Sequence, residues 1–320
     1  MSTPPPMTYR TLGRTNLQVS RVALGAGGPS RLGLAKNDGS AQVDRLIKQA
    51  LDLGINFIDT APGYDTENAI GTALQSVRNP LYLATKVWCY PSLDVTDPHQ
   101  PPLTDPQHLV TSVEESLKAL RRDHLDILQL HGVPGPAVEP MIEHFIPPML
   151  RLREQGKIRY IGITEHPGID PQQDMAAAAC TSDLFDVLMI QYGIFDQQAQ
   201  HRTFALAQEH DVGILGMCAA RAAFTDSATL EHLLAQIDPE GDSSLEFLLQ
   251  GSVRSYADAA FRFAAAREEI HTVLVGTGNV DHLVESTAAI LGDPLPPAHL
   301  EQLTQRFGHL DGQCLWPKRD

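Results

Sequence analysis

The stretch Phe57-Ile58-Asp59-Thr60-Ala61-Pro62-Gly63-Tyr64 carries the pattern on which the predicted fold rests. Its apolar start predicts a short buried strand that ends at Asp59, and its Pro-Gly pair predicts a tight loop that carries Tyr64. Two later apolar runs also end on polar residues, one on Lys86 and one on His131. We therefore expect Asp59, Tyr64, Lys86 and His131 to form one shared site at the ends of separate strands.

Strand-like and helix-like segments alternate on both sides of this stretch. The predicted strands cover 21–25, 57–59, 81–86, 127–131, 160–164, 186–192, 212–217 and 272–276. The predicted helices cover 41–53, 66–77, 107–122, 139–155, 171–180, 198–210, 244–268 and 280–291, with others at 230–237 and 297–309. Eight buried strands in such regular alternation favour a closed (β/α)8 TIM barrel over an open doubly wound sheet. A glycine-rich dinucleotide fingerprint after a strand, which would favour the open sheet, is absent.

A single α/β domain over residues 1–320 is expected, because no change of composition marks a boundary. Residues 1–8 are Pro-rich and predicted to be loose, and 9–20 read as an N-terminal β-hairpin. The C-terminal helix is followed by a tail, 308–320, that carries Trp316.

The composition restricts the partners and the compartment. The net charge is −15 with 39 acidic and 24 basic residues, which argues against a nucleic acid or an anionic membrane as partner. No apolar run is long enough to span a membrane, and no signal peptide is visible. The four cysteines show no CxxC spacing, so we expect reduced thiols, no metal site and a cytoplasmic protein.

Several ordered motifs resemble the aldo-keto reductase family. They are the Asp59–Tyr64 stretch, Thr85-Lys86, the segment from Ser116 to His131, the Gly156–Ile163 segment and Val275-Gly276-Thr277-Gly278. The likeness extends from Leu12-Gly13 to Glu285. It implies a (β/α)8 barrel that transfers a hydride between a nicotinamide cofactor, NADP or NAD, and a small carbonyl compound or the matching alcohol.

The resemblance also implies a catalytic tetrad, which corresponds to Asp59, Tyr64, Lys86 and His131. The chemistry needs these residue types independently of the family. Hydride addition leaves an oxyanion, and Tyr64 can donate a proton to it, although the usual phenol pKa of about 10 is high for this task. A Lys86 ammonium would lower that pKa, Asp59 would keep the ammonium charged, and His131 could orient the carbonyl oxygen.

The cofactor contacts that the resemblance implies depart from the family's usual residues in several places. Thr164-Glu165 replaces the common Ser-Asn, whereas Gln191 matches the family's amide-binding residue. Met217 occupies the place of a stacking aromatic residue, and Cys218 begins an altered turn in which Arg221 could reach the pyrophosphate. The remaining contacts implied by the resemblance are Gly276, Thr277, Gly278 and Glu285. Gly27 is predicted as a contact because its Gly-rich loop lets the backbone approach a ligand closely. No Lys or Arg lies between Gly276 and His282 to hold a 2′-phosphate, so the choice between NADP and NAD is left open.

The substrate pocket is expected to be shaped by Trp88, Trp316 and the loops 88–106 and 218–243.

Two other classes of function are considered beside the reductase. One is a cofactor-binding regulatory partner protein with weak or no turnover. The other is a different barrel chemistry, with Lys86 as a Schiff-base amine or His131 as a metal ligand; the lack of a second ligand near His131 argues against the metal.

Overall fold

Ten strands and ten α-helices form the part of the chain that the computed structural model describes, residues 4–36, 39–91, 97–239 and 244–316. The strands are β1 (Tyr9–Thr11), β2 (Gln18–Ser20), β3 (Val22–Gly25), β4 (Phe57–Asp59), β5 (Tyr82–Trp88), β6 (Leu125–Val133), β7 (Ile158–Glu165), β8 (Val187–Gln191), β9 (Gly213–Met217) and β10 (Thr272–Gly276). The helices are α1 (Ser40–Asp52), α2 (Glu67–Ala73), α3 (Pro106–Leu120), α4 (Val138–Glu154), α5 (Asp174–Thr181), α6 (Thr203–Glu209), α7 (Ser227–Ile237), α8 (Tyr256–Ala265), α9 (Val280–Leu291) and α10 (Pro297–Phe307).

The eight parallel strands β3 to β10 close into a barrel in sequence order, with β10 pairing back to β3. The predicted (β/α)8 architecture is therefore confirmed. Side chains alternate along each strand, so every second residue points into the barrel. The inward positions begin as an apolar layer and end in polar groups. Phe57 is followed two residues later by Asp59, Ala84 by Lys86 and Met189 by Gln191. The polar site thus lies on an apolar floor at the carboxyl ends of the strands.

The predicted N-terminal hairpin is also present, as the antiparallel pair β1 and β2. Leu12, Leu17 and Val19 from this hairpin belong to the same apolar cluster as the barrel interior. The Arg14 main-chain N–H donates to the carbonyl of Asp211, just before β9 begins. The hairpin therefore covers the amino-terminal end of the barrel, opposite the polar site.

Several predicted boundaries were wrong. Lys86 and His131 do not end their strands, because β5 continues to Trp88 and β6 to Val133. The long helix expected over 244–268 is absent: 246–248 form a 3-10 turn, and α8 begins only at Tyr256. Ser255 caps α8 by accepting from the Asp258 N–H, which fixes an extended conformation where the prediction had helix. The shorter helices α5 and α6 begin at Asp174 and Thr203, later than expected.

Parts of the predicted features lie outside the described residues, namely 1–3 of the N-terminus, 92–96 and 240–243 of the pocket loops, and 317–320 of the tail. Within the described ranges, no helix is long and apolar enough to cross a membrane.

Candidate active site

Lys86 and Asp59 form an ion pair at the polar end of the barrel. The Lys86 Nζ donates to Asp59 Oδ2 at 2.6 Å and to the Thr60 carbonyl oxygen at 2.9 Å. Both side chains are almost completely buried. Burial lowers the pKa of Lys86, but the neighbouring Asp59 carboxylate and Tyr64 hydroxyl raise it by more, so the ammonium stays charged.

Tyr64 and His131 complete the group of four predicted residues. Tyr64 lies in the 3-10 turn Pro62–Tyr64 directly after β4, and its hydroxyl is 3.4 Å from His131 Nε2. The Lys86 Nζ is 5.0 Å from the centre of the Tyr64 ring. The structure therefore brings together four residues that are separated by up to 72 positions in the sequence, from Asp59 to His131.

The protonation states of Tyr64 and His131 follow from burial and charge. Burial raises the pKa of Tyr64, and Lys86 only partly offsets this, so the net direction is opposite to the lowering expected from the ammonium alone. The phenol is consequently protonated at neutral pH. Burial, followed by the charge of Lys86, lowers the pKa of His131 well below its usual range, so the imidazole is neutral.

Gln129 is a partner of Asp59 that the sequence analysis missed. Its Nε2 donates to Asp59 Oδ1 at 3.0 Å, so both carboxylate oxygens of Asp59 are held. Gln129 is completely buried and pairs in register with Lys86. The two-residue spacing between Gln129 and His131 on one strand places both on the inner face, and this spacing could have identified Gln129.

A second polar group surrounds Gln191 at the end of β8. The Gln191 main-chain N–H donates to Glu165 Oε1, and its Nε2 donates to Asp196 Oδ2 at 2.8 Å. Asp196 was not among the residues predicted from the sequence. Because it accepts from Nε2, it orients the Gln191 amide so that Oε1 points away from Asp196. Glu165 Oε2 is buried without a hydrogen-bond partner in the described structure. Burial, together with the charges of Asp196 and Asp170, raises the pKa of Glu165 well above its usual range.

Asp196→Asn should reveal the buried carboxyl groups through the pH dependence of stability. Burial raises the pKa of Asp196 from an ordinary 3.8 to about 7. The folded protein therefore holds a proton that the unfolded chain has released, and the unfolding free energy decreases as pH rises from about 4 to 7. The asparagine cannot ionise. From pH 5 to pH 8 the variant should gain roughly 2–4 kcal/mol in unfolding free energy relative to the native protein.

Urea unfolding at both pH values measures this gain. Asp52→Asn, at an exposed carboxylate, is the matched control and should leave the difference unchanged. Equal pH dependence of Asp196→Asn and the native protein would contradict a protonated Asp196.

The loop after β10 is tied to the first helix of the barrel. The Gln42 Nε2 in α1 donates to the Gly278 carbonyl oxygen at 2.6 Å, and Arg45 donates to Gln42 Oε1. Thr277 Oγ1 accepts from the Asn279 N–H at 3.1 Å, and Asn279 caps α9. Gly276 and Glu285 are exposed. Arg45 is therefore a cation close to this loop that comes from a distant part of the chain.

Gly27 lies directly against the ring of Tyr64. A Cβ added at residue 27 would lie 2.6 Å from Tyr64 Cε2. A side chain here would displace the Tyr64 ring, so this position requires glycine for a steric reason.

The two tryptophans occupy different parts of the site. Trp88 lies edge-on to His131 with 5.2 Å between ring centroids, so it borders the tetrad. Trp316 instead contacts the expected cofactor residues: its Nε1 donates to Gln191 Oε1 at 3.0 Å, and its ring stacks on Arg221. Arg221 Nη1 also lies 3.7 Å from Cys218 Sγ, and Met217 lines the barrel interior beside them.

Among the described residues, no group of three His, Cys, Asp or Glu side chains is arranged to hold a metal ion.

The sequence profile of the aldo/keto reductase family matches residues 22–306. The chain belongs to this family. This aldo-keto reductase is 26% identical to the uncharacterized oxidoreductase YqkF of Bacillus subtilis, over 88% of the chain and 91% of that protein. It is 28% identical to the L-galactose dehydrogenase of Arabidopsis thaliana, over 88% and 87% of the two chains.

A solved structure extends the comparison to the fold. The holo form of the aldo-keto reductase AKR11C1 from Bacillus halodurans aligns with a TM-score of 0.71 and 25% identity, over 94% of this chain and 96% of that one. The present aldo-keto reductase is therefore an oxidoreductase whose cofactor is NADP or NAD.

The polar groups of this aldo-keto reductase fit a nicotinamide cofactor. A carboxamide needs an acceptor for its NH2 group and a donor for its oxygen. The oriented Gln191 Oε1 is such an acceptor. The unpartnered Glu165 Oε2 is a donor when the carboxyl is protonated, and the Thr164 hydroxyl accepts from the Gly132 N–H and keeps its own hydrogen to donate. Arg221 is a cation suited to a pyrophosphate.

Proposed function

We propose that this aldo-keto reductase reduces aldehydes or ketones, and oxidises the matching alcohols, with Tyr64 as the proton donor. The linkage of Asp59, Lys86, Tyr64 and His131 at the carboxyl ends of the strands carries the proposal. In barrels of this type the reaction centre lies at that end. The bound dinucleotide would supply the hydride, and the residues of the chain would bind, orient and protonate the substrate.

His131 and Tyr64 would hold the carbonyl oxygen between them. The neutral His131 donates a hydrogen bond in the tautomer that carries its proton on Nε2, the atom that faces Tyr64. The phenol of Tyr64 donates a second hydrogen bond and transfers its proton as negative charge develops on the oxygen. Lys86 stabilises the resulting phenolate, and Asp59, held also by Gln129, keeps Lys86 charged.

Trp88 gives the substrate side of the site an apolar wall. Its ring is perpendicular to the ring of His131 and inclined by 63° to the ring of Tyr90, which places an aromatic group next to the proposed carbonyl position. Such a wall excludes water, strengthens the polar interactions within the site and favours substrates with an apolar group next to the carbonyl.

A turnover assay with a panel of aldehydes and ketones tests the proposed function. NADH or NADPH oxidation, followed at 340 nm, should depend on both the protein and the carbonyl compound. A protein that binds either cofactor tightly and turns over no member of the panel would support the regulatory-partner alternative instead.

Cofactor preference should be weak, with NADPH bound less than about tenfold more tightly than NADH. A charge-assisted contact to the 2′-phosphate is worth about 1.5–3 kcal/mol, or ten- to a hundredfold in affinity. The segment Gly276–His282 offers no Lys or Arg for this contact, and the exposed Asp281 and Glu285 oppose a phosphate. Dissociation constants for both cofactors at fixed ionic strength measure the difference.

A gain-of-contact variant supports the interpretation of that measurement. His282→Arg adds a cation at an exposed position in the first turn of α9 and should shift the ratio towards NADPH. A native preference of a hundredfold for NADPH would refute the prediction. It would mean that a cation outside Gly276–His282 binds the 2′-phosphate. Arg45, linked through Gln42 to Gly278, would then be the first position to replace.

A further inference from the structure

The C-terminal residues Gly312–Trp316, called the C-terminal strap below, reach the residue that best fits the nicotinamide carboxamide. The Trp316 indole N–H donates to Gln191 Oε1 at 3.0 Å. Asp196 holds the Nε2 of the same amide, so Oε1 is the atom that Gln191 can offer to a ligand. The indole N–H and a carboxamide N–H are the same type of donor, so Trp316 makes the contact that a carboxamide would need.

The strap also engages the cation that best fits a pyrophosphate. The Arg221 guanidinium carbon lies 3.5 Å from the centre of the Trp316 ring, and Arg221 Nε donates to the Leu315 carbonyl oxygen at 3.2 Å. An arginine that stacks on an aromatic face and donates along its edge is oriented by those contacts. One segment thus occupies two positions that face different groups of a dinucleotide.

The start of the strap fits closely against the same group. Gly312 has a φ of +75°, and a Cβ on it would lie 2.4 Å from Asp196 Oδ2 and 2.5 Å from Gln191 Nε2. Just before it, Asp311 forms an isolated bridge with Asp196, and the Leu310 carbonyl accepts from Gln198 Nε2 at 3.2 Å. The chain is therefore anchored next to Gln191, and the strap projects from this anchor across the site.

We propose that the C-terminal strap is an autoinhibitory element: Trp316 occupies the carboxamide and pyrophosphate contacts at Gln191 and Arg221, and it must leave before the nicotinamide cofactor binds. The inference rests on the proposed function, because that function assigns the two residues to the cofactor. A cofactor that makes these contacts competes with the strap for them, so only the fraction of molecules in which the strap is released binds it, and the apparent affinity falls by that fraction.

The strap is suited to reversible release. Cys314, Leu315 and Trp316 are only half-buried, and the contacts specific to Trp316 are one hydrogen bond and one cation–π contact. We expect these contacts to hold the strap closed in about nine molecules of ten, so their loss should strengthen cofactor binding about tenfold.

The first test is the dissociation constants of NADP+ and NAD+ for the native protein and Trp316→Ala, by calorimetry. The variant should bind both cofactors about tenfold more tightly. Cys314→Ala, which changes the strap but keeps both Trp316 contacts, is the matched control and should bind as the native protein does. Unchanged or weaker binding by Trp316→Ala would overturn the proposal, because Trp316 would then be irrelevant to the site or a part of its wall.

The second test follows the strap itself. The chain has two tryptophans, so Trp88→Phe leaves Trp316 as the only one. Saturation with oxidised cofactor should increase acrylamide quenching of Trp316, since the released ring is exposed to solvent. Decreased or constant quenching on saturation would overturn the strap while leaving the proposed reductase intact. Absence of binding by the native protein and by Trp316→Ala would overturn the cofactor assignment and the strap together.

Discussion

Tyr64→Phe should lower kcat for carbonyl reduction by about 10²–10⁴-fold and leave cofactor affinity within about threefold of the native value. The substitution removes only the hydroxyl that lies 3.4 Å from His131. Because the proton is transferred in the transition state, its loss affects kcat and kcat/KM together. Steady-state rates with the best substrate of the panel, and separate cofactor titrations, measure the two effects.

Tyr9→Phe is a matched control for this prediction. The Tyr9 hydroxyl donates to the Gly54 carbonyl oxygen in the N-terminal hairpin region, at the other end of the barrel, so turnover should be unchanged. A rate for Tyr64→Phe within a few-fold of the native rate would show that another group donates the proton.

Lys86→Met should lower activity by at least about a hundredfold, and it should change the pH dependence as well as the rate. In the proposed mechanism the ammonium stabilises the Tyr64 phenolate, and its loss raises the pKa of Tyr64 further because Lys86 opposes the effect of burial. Alcohol oxidation needs the phenolate as base. The rising limb of the pH–rate profile for oxidation should therefore move to higher pH. Rate profiles for both directions measure this shift.

The stability of Lys86→Met should also respond to pH. Burial already raises the pKa of Asp59 in the native protein, and the charge of Lys86 is the main effect that opposes the rise. In the variant only the hydrogen bond from Gln129 opposes it, so the pKa of Asp59 rises further. The variant should therefore lose more stability than the native protein as pH rises above the ordinary pKa of an aspartate, near 4. Lys118→Met, at an exposed lysine of α3, controls for the loss of one positive charge. A pH–rate profile that overlays the native one would contradict the coupling of Lys86 to Tyr64.

The sequence was sufficient to predict the barrel and the proximity of the four candidate residues, and the reason is local patterning. Each strand of a parallel barrel is covered on both faces and appears as a short apolar run, and Asp59, Lys86 and His131 follow or interrupt such runs. The carboxyl ends of all eight strands meet at one end of the barrel. The proximity of residues far apart in sequence can therefore be predicted without knowing any side-chain contact.

Other features depend on long-range contacts that local patterns do not contain. Trp316 meets Gln191 across 125 positions of sequence, and nothing near Trp316 indicates that partner. The pKa of Tyr64 depends on the extent of burial, which exceeded the effect of the ammonium that the sequence analysis considered. The helix expected over 244–268 begins only at Tyr256, because Ser255 caps its amino terminus in an extended conformation. The apolar residues before Ser255 only resembled a helical pattern.

Isotope transfer tests the central claim, hydride transfer at the Tyr64 site, most directly. NADPH or NADH carrying deuterium on both C4 positions of the reduced ring is incubated with the native protein and the best carbonyl substrate, and the alcohol is analysed by mass spectrometry. We predict one deuterium on the former carbonyl carbon in every turnover, and at most about one-hundredth as much labelled alcohol from Tyr64→Phe in the same time. An alcohol without deuterium, or full labelling by Tyr64→Phe at the native rate, would contradict it.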